Sequence, residues 1–442
     1  MAEKKRKSKA EQRKDMAKLA AVAAAGGYAA GKLAKRGRRG KKGRKLGAVV
    51  GVLAALIIVA VGAMYYYDVK PFDADWFNGQ FKSWYMSADS FVQSDGNLQI
   101  RFLDIGQGDC ALVQLPDGKN MLIDGGKNNG KTEEKIIKTL TGLGIDTIDY
   151  GVLTHTDSDH VGGMDAVIAS DEITFKAMYM PLIKSKSPDD KVEEWFEEAK
   201  ETYLKDLEAV PADFEIPMIR TDRYADFMEA VLAEEGCQPY FSLEGMTIGG
   251  EEAGYIFDFY NPTYKEYQSL VGEEEEEQTA KERNNVSPVM ILRFNDKKIM
   301  FTGDCDDAES NFIETAVKGN IADYDVDVLK VAHHGGKQST SEDFLKIVKP
   351  EFSVISVGNN NYGHPTEEVI DRLNAVGSKI FTTQDKGDII LTMSGDRMGW
   401  SFAKDGSSYG DASEYDGEDA PSAAVSAIIP MYNAKNLTGR AA

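Results

Sequence analysis

Six consecutive residues, His155-Thr156-Asp157-Ser158-Asp159-His160, constrain this chain more than any other feature. They place two imidazoles and two carboxylates in one short segment. Neutral imidazole and ionised carboxylate are ligands for divalent metals. The run before them, 148–153, is mostly apolar, β-branched or aromatic, and reads as a buried strand. Gly162 and Gly163 let the backbone turn into the next element. A strand end carries such groups to the rim of a sheet, where α/β proteins build their sites.

The chain has five histidines, His155, His160, His333, His334 and His364, and every one lies in a short polar segment after an apolar strand. Asp304 occupies the same kind of position. This repetition fits one catalytic edge built from many loops, and the chemistry it suggests is metal-assisted hydrolysis. His155 and Asp157 can face one ion, while Asp159 and His160 can turn towards a second. Asp304, from a distant strand, could bridge both, and His333 or His334 would complete the set. Paired ions about 3.5–4 Å apart lower the pKa of a bound water and clamp the attacking and leaving oxygens. Asp124 is placed to orient a ligand histidine.

The surrounding pattern is layered α/β. Strands are expected at 98–103, 110–115, 120–123 and 148–153, with a helix at 132–143 whose Ile136, Ile137, Leu140 and Leu143 share a face. Residues 184–252 read as an inserted helical cap, with an acidic amphipathic helix over 191–210 and another over 223–234. An acidic loop lies at 273–277. Strands return at 289–294, 298–301, 326–331, 352–357 and 379–382, helices are expected at 306–317, 342–348 and 367–376, and a hairpin covers 388–402. Residues 403–442 are rich in Gly, Ser, Asp and Ala and read as a flexible tail. Cys110, Cys237 and Cys305 have no metal-binding spacing and form no disulfide framework, though one disulfide would be possible outside the cell.

Charge divides the chain. Residues 1–46 hold 17 Lys/Arg against 3 Asp/Glu, a balance of +14, whereas residues 47–442 hold 34 against 69, a balance of −35. Between the basic arm (1–45) and the rest, residues 46–67 carry no charge over 22 positions. At about 1.5 Å per residue, such a helix spans a bilayer of about 30 Å. Tyr65, Tyr66 and Tyr67 suit an interfacial belt. The reading is a single transmembrane helix in a cell membrane. The basic arm lies in the cytoplasm, a linker covers 68–97, and everything beyond the helix is extracytoplasmic. The arm serves as an anchor flank, with anionic lipid or nucleic acid as other conceivable contacts.

The segment at 155–163, H-x-D-x-D-H-x-G-G, resembles the H-x-H-x-D-H motif of the metallo-β-lactamase superfamily, with Asp157 in place of the second His. Its companions are 103–109 (LDIGQGD), 122–126 (LIDGG), 302–304 (TGD), 331–335 (VAHHG) and 362–365 (YGHP). Together they resemble the extracellular metallo-β-lactamase-like domain of the ComEC competence proteins, over residues 98–402. The resemblance implies an αββα sandwich, a divalent metal site and hydrolysis of an ester-type bond. In those proteins the domain is thought to act as a nuclease on the DNA strand that is not imported. Carried over by motif, the metal ligands are His155, Asp157, Asp159, His160, Asp304 and one or both of His333 and His334. Asp159 and His364 become the candidate catalytic residues, His364 holding a phosphate or protonating a leaving group. Asp124, Gln107 and Asp109 would support the site. Three departures stand out: one span in place of a polytopic channel, the insertion at 184–252, and Gly336 where the family has Ser after H-H-G.

The expectation is a membrane-anchored, extracytoplasmic hydrolase using two ions of Zn²⁺ or Mn²⁺, with Asp157 favouring harder ions such as Mn²⁺. A phosphodiester or nucleic acid is the leading substrate class. The acidic balance argues against a polyanion unless the metals and local cations such as Lys127, Lys131 and Lys337 offset it. The alternatives are a small phosphoester, a cell-wall phosphodiester or a lactone, and, in a different class, a non-catalytic surface binding protein.

Overall fold

The structure is a computed structural model that describes residues 96–185, 194, 214–219, 221–271, 279–306, 324–395, 397–404 and 406–410 of the 442-residue chain. The chain divides into two units, Met1–Ser87 and Ala88–Ala442. The first unit, with the basic arm and the apolar run 46–67, lies outside the described residues, as do nearly all of the helices expected at 191–210 and 306–317 and the acidic loop at 273–277. Among the described residues no helix is long and apolar enough to cross a membrane.

The described fold opens on β1 (Leu98–Phe102), β2 (Ala111–Gln114) and β3 (Asn120–Ile123). Next comes α1 (Gly130–Gly142), whose N-cap Asn129 accepts from the Lys131 and Thr132 amides. It continues through β4 (Thr147–Ile148), β5 (Tyr150–Val152), α2 (Met164–Ile168), β6 (Thr174–Phe175), β7 (Ala177–Met180), β8 (Lys184–Ser185), β9 (Met218–Ile219), α3 (Asp222–Ala233) and β10 (Gln238–Phe241). The second half contains β11 (Thr247–Gly250), β12 (Tyr255–Phe259), α4 (Tyr264–Ser269), α5 (Ala280–Asn284), β13 (Met290–Phe294), β14 (Lys297–Phe301), β15 (Val328–Lys330), α6 (Glu342–Val348), β16 (Phe352–Ile355), α7 (Glu367–Ala375), β17 (Lys379–Thr382) and α8 (Thr383–Lys386). The hairpin β18 (Ile389–Ser394) and β19 (Arg397–Phe402) follows, with β20 (Ser408–Gly410) last.

Two mixed sheets carry the fold. One has nine strands in the order β10-β7-β5-β3-β2-β1-β18-β19-β20, and the other has seven, β11 to β17 in sequence order. Their inner faces meet in an aromatic core. Phe102 stacks on Phe301 at 6.2 Å between ring centroids, Phe301 on Phe257 at 5.6 Å, and Trp400 lies 5.2 Å from Phe352. The outer face of the first sheet is covered by α1, α2 and α3 through Ile136, Leu140, Met164, Val167, Phe227 and Met228. That of the second is covered by α6 and α7 through Phe344, Leu345, Val369 and Leu373. Helices on both outer faces and a dry seam between two sheets make an αββα sandwich.

Two boundaries differ from the sequence reading. Residues 222–250, read as part of an insertion, belong to the sandwich. α3 packs in the first helical layer, β10 pairs parallel with β7, and β11 begins the second sheet. Tyr255 to Phe259 alternate buried and half-buried residues, the period of a strand facing one core. Residues 408–410, inside the stretch read as a tail from 403, form β20 and pair with β19, and residues 411–442 lie outside the described residues. Cys110, Cys237 and Cys305 form no disulfide with one another, and Cys110 and Cys305 are buried.

Candidate metal centre

β3 and β5 are parallel neighbours, with Leu122 opposite Gly151. Their ends therefore deliver Asp124 and Thr154 side by side. The Asp124 carboxylate accepts the Thr154 amide and hydroxyl, both at 2.8 Å, and lies 2.8 Å from His160 Nδ1. The loop after β14 brings Asp304, whose amide donates to Ser287 Oγ at 3.2 Å. The loop after β15 brings His333 and His334, both in the left-handed region at φ 49° and 52°. Non-glycine residues avoid that region, at a cost of about 1–3 kcal/mol each. The loop is held there by His333 N donating to Gly303 O at 3.1 Å.

Gly162 and Gly163 do more than allow a turn. A Cβ on Gly162 would lie 2.2 Å from Ser158 O and 2.4 Å from Asn128 N, and one on Gly163 would lie 2.5 Å from Gly125 O. The histidine loop and the Asp124 loop thus touch backbone to backbone. Gly162→Ala is expected to cost about 1–3 kcal/mol through overpacking, read as a lower denaturant midpoint with a matching loss of metal affinity. A midpoint equal to wild type would contradict this close packing.

Four histidines share one hydrogen-bond logic. His334 Nδ1 faces the Ser356 carbonyl at 2.9 Å, and a carbonyl only accepts, so Nδ1 carries the proton. His160 Nδ1 faces the Asp124 carboxylate. Thr154 gives its hydroxyl proton to Asp124, so its oxygen accepts from His155 Nδ1 at 3.1 Å. His333 Nδ1 lies 3.2 Å from Asp306 Oδ1, nearer than the Asn284 amide nitrogen at 3.4 Å. Each Nε2 is left facing Asp304. From His160 Nε2 to Asp304 Oδ1 is 3.1 Å, from His334 Nε2 to Oδ2 is 3.5 Å, and from His155 and His333 Nε2 to Oδ2 is 4.0 Å.

These spacings suit an ion. Two donor atoms each about 2.1 Å from one metal stand about 3–3.5 Å apart at ordinary ligand angles. The buried atoms His155 Nε2, His160 Nε2, His334 Nε2, Asp304 Oδ1 and Asp109 Oδ1 have no hydrogen-bond partner. Orphaned buried polar atoms are costly and rare, and here they converge. One ligand atom each from Asp109, His160, Asp304 and His334 falls within 4.8 Å of the others. The electrostatics agree. Burial lowers the affinity of the His334 ring for a proton, yet the Asp304 charge and its contacts with Asp109 and Asp159 carry its pKa up to about 10. Burial likewise opposes the charged form of His160, and the charges of Asp304 and Asp124 outweigh it. Burial raises the Asp159 carboxyl, but its contact with His334 and the charge of His160 bring it to about 2. The pocket's carboxylates demand positive charge, and a divalent ion would supply it.

The structure brings together His155, His160, Asp304, His333 and His334, with Asp159 Oδ2 at 3.5 Å from His334 Nε2. Asp157 is placed differently. Its Oδ1 accepts from Arg283 Nε at 2.5 Å. Asp109, read as a supporting residue, lies among the potential ligands, with Oδ2 2.7 Å from the buried Lys330 Nζ. Gln107 Oε1 faces the Gly358 amide in a long 3.5 Å contact behind the site. The His364 ring lies 5.3 Å from His333 and 6.5 Å from His334, with Nδ1 buried and unpartnered. Burial, then the charges of His333 and His334, keep its pKa below the ordinary histidine value. The Asn360 side chain fixes it, accepting from the His364 amide and donating to its carbonyl. Arg283, Asn284, Lys330 and Ser356 were not singled out in the sequence. Only Lys330, the one basic residue in the mostly apolar run 326–331, gave a signal there.

Residues 103–358 match the family model described as the metallo-beta-lactamase superfamily. The chain belongs to that superfamily. Its curated relatives include ComE operon protein 3 of Bacillus subtilis, 26% identical over 315 residues, covering 67% of this chain and 33% of that protein. Competence protein ComA of Neisseria gonorrhoeae is 26% identical over 289 residues, covering 64% and 30%. Recombination protein 2 of Haemophilus influenzae is 24% identical over 304 residues, covering 68% and 29%. The chain spans about a third of the length of these relatives. Its domain resembles the metallo-β-lactamase domain of the ComEC family, as the motifs predict. The superfamily fold and the buried His/Asp cluster make this chain a metal-dependent hydrolase. Asp124→Asn should weaken metal binding by about 10–100-fold, the usual cost of losing the group that orients a ligand histidine. Metal titration checks this, and unchanged affinity would remove Asp124 from that role.

Proposed function

We propose that this chain is a membrane-anchored, extracytoplasmic phosphodiesterase acting on nucleic acid. Residues 46–67 are the anchor and the sandwich carries the chemistry. The observation behind the reading is the convergence of unpartnered His Nε2 and carboxylate atoms around Asp304. His160, Asp304 and His334 would hold the ion together with Asp159 or Asp109, whose carboxylates both approach His334, with His155 and His333 beside them. A bound Zn²⁺ or Mn²⁺ lowers the pKa of a water and polarises a phosphoryl oxygen. Asp124, Thr154 and the Ser356 carbonyl fix the imidazole tautomers. His364, its ring 5.3 Å from His333 and its pKa below the ordinary histidine value, stands where it can hold a phosphoryl oxygen of the substrate.

A strand of nucleic acid is favoured by Tyr362. Its ring is 5.7 Å from His364, and the residue is 71% exposed. An exposed ring beside a hydrolytic centre is a platform for a base, a contact usually contributing about 1–3 kcal/mol. Tyr362→Ala should therefore raise KM for single-stranded DNA by about tenfold and leave hydrolysis of bis-p-nitrophenyl phosphate unchanged. Equal effects on both substrates would remove the platform. The −35 balance of residues 47–442 favours the second reading, a small phosphoester, cell-wall phosphodiester or lactone.

The test is hydrolysis by the full chain in detergent, loaded with Mn²⁺, of single-stranded DNA and of bis-p-nitrophenyl phosphate. Cleavage of both, lost together in Asp304→Ala, is expected. Activity on the small ester alone would discard the nucleic-acid substrate. Failure to bind metal at micromolar supply would favour a surface binding protein.

A further inference from the structure

The ligand atoms are not spread evenly around Asp304. On one side His160 and His334 approach to 3.1 and 3.5 Å, and Asp159 Oδ2 lies 3.5 Å from the same His334 nitrogen. On the other side, His155 and His333 both stand at 4.0 Å. The carboxylate that would close this second half is Asp157, and it is engaged by Arg283 at 2.5 Å. Both side chains of that pair are 21% exposed, so the contact is largely shielded from water.

Arg283 is held in place by its own element. α5 begins with a capping box in which Thr279 and Glu282 satisfy each other's backbone. The next residue along, Asn284, is buried with its amide nitrogen 3.4 Å from His333 Nδ1. A guanidinium does not deprotonate in a protein. A dication on the His155 side would therefore meet a fixed positive charge already bound to the carboxylate it needs.

We propose that Arg283 takes the place of a second cation. The centre then holds one ion per chain, on the His160, Asp304, His334 and Asp159 side, and the guanidinium neutralises Asp157. This rests on the metal-dependent reading above.

The experiment loads metal-stripped full chain in detergent with Mn²⁺ alone, counts ions after dialysis and records the electron paramagnetic resonance spectrum. Wild type should hold one ion with an uncoupled spectrum. Arg283→Gln should gain a second ion with a spin-coupled spectrum, its second-site affinity rising about tenfold or more. Arg283→Lys, which keeps the charge, and Asp157→Asn, which removes a carboxylate outside the occupied half, should each keep one ion. Two ions with coupled spins in wild type would overturn the proposal while leaving a metal-dependent hydrolase intact, and so would a single ion in Arg283→Gln. No ion in wild type would overturn both readings.

Discussion

Asp304→Ala is expected to fold as wild type does, bind no ion tightly and lose hydrolysis by on the order of 10²–10³-fold or more, the scale for removing one charge-stabilising group at a reacting centre. The reason is geometric. Asp304 is the common neighbour of His155, His160, His333 and His334, within 3.1–4.0 Å of each Nε2. Burial opposes its charged form, and the surrounding imidazoles overcome that and hold its carboxyl well below the ordinary range. It is therefore ionised and ready to bind a cation at any working pH. The backbone around it does not depend on the side chain, since its amide bonds to Ser287 Oγ and Thr302 Oγ1 bonds to Lys330 O at 2.6 Å. Circular dichroism should match wild type while bound metal and turnover vanish together. A variant that still carries metal and turns over substrate would remove Asp304 from the centre.

Lys330→Met should have the largest effect on stability. Lys330 is 4% exposed; its Nζ lies 2.7 Å from Asp109 Oδ2 and donates to Val331 O at 3.0 Å. Breaking a buried pair strands the other charge, at about 3–5 kcal/mol. Asp109 would then sit unpaired near Asp159 and Asp304. The pH dependence follows from the same pair. Burial raises the Asp109 carboxyl, and Lys330 and His334 outweigh it, so its native pKa lies below the unfolded value. Its contribution is fully present above about pH 4, the unfolded carboxylate value, and is lost as pH falls through the native one. The stability gap between wild type and Lys330→Met should be widest near neutrality and narrow in acid. Urea midpoints across that range check it, with Lys330→Met/Asp109→Asn losing less than the sum of the single variants. A loss below about 1 kcal/mol at pH 7 would show the pair to be no better than a surface salt bridge.

The layered fold and the loops around Asp304 were legible because strand-then-polar segments recur at 124, 154, 304 and 333, and a strand's end predicts where its next residues emerge. The helices expected at 342–348 and 367–376 are found at Glu342–Val348 and Glu367–Ala375. What was not legible depends on chain pairings that local pattern does not encode. Asp157 reads as a ligand within its motif, yet its partner Arg283 is 126 positions away on a five-residue helix. β10 and β11 were absorbed into the insertion read at 184–252, and β12, just beyond it, went unread although the alternation of Tyr255 to Phe259 carried its signal. Ser356 contributes only a carbonyl, which any residue offers.

The most direct measurement is recovery of bis-p-nitrophenyl phosphate hydrolysis when Mn²⁺ or Zn²⁺ is titrated into full chain first stripped with EDTA. No activity in the stripped protein and saturable recovery on metal addition, absent in Asp304→Ala, is the predicted result. Stripped protein as active as loaded protein, or loaded protein with no activity on any phosphodiester, would contradict it.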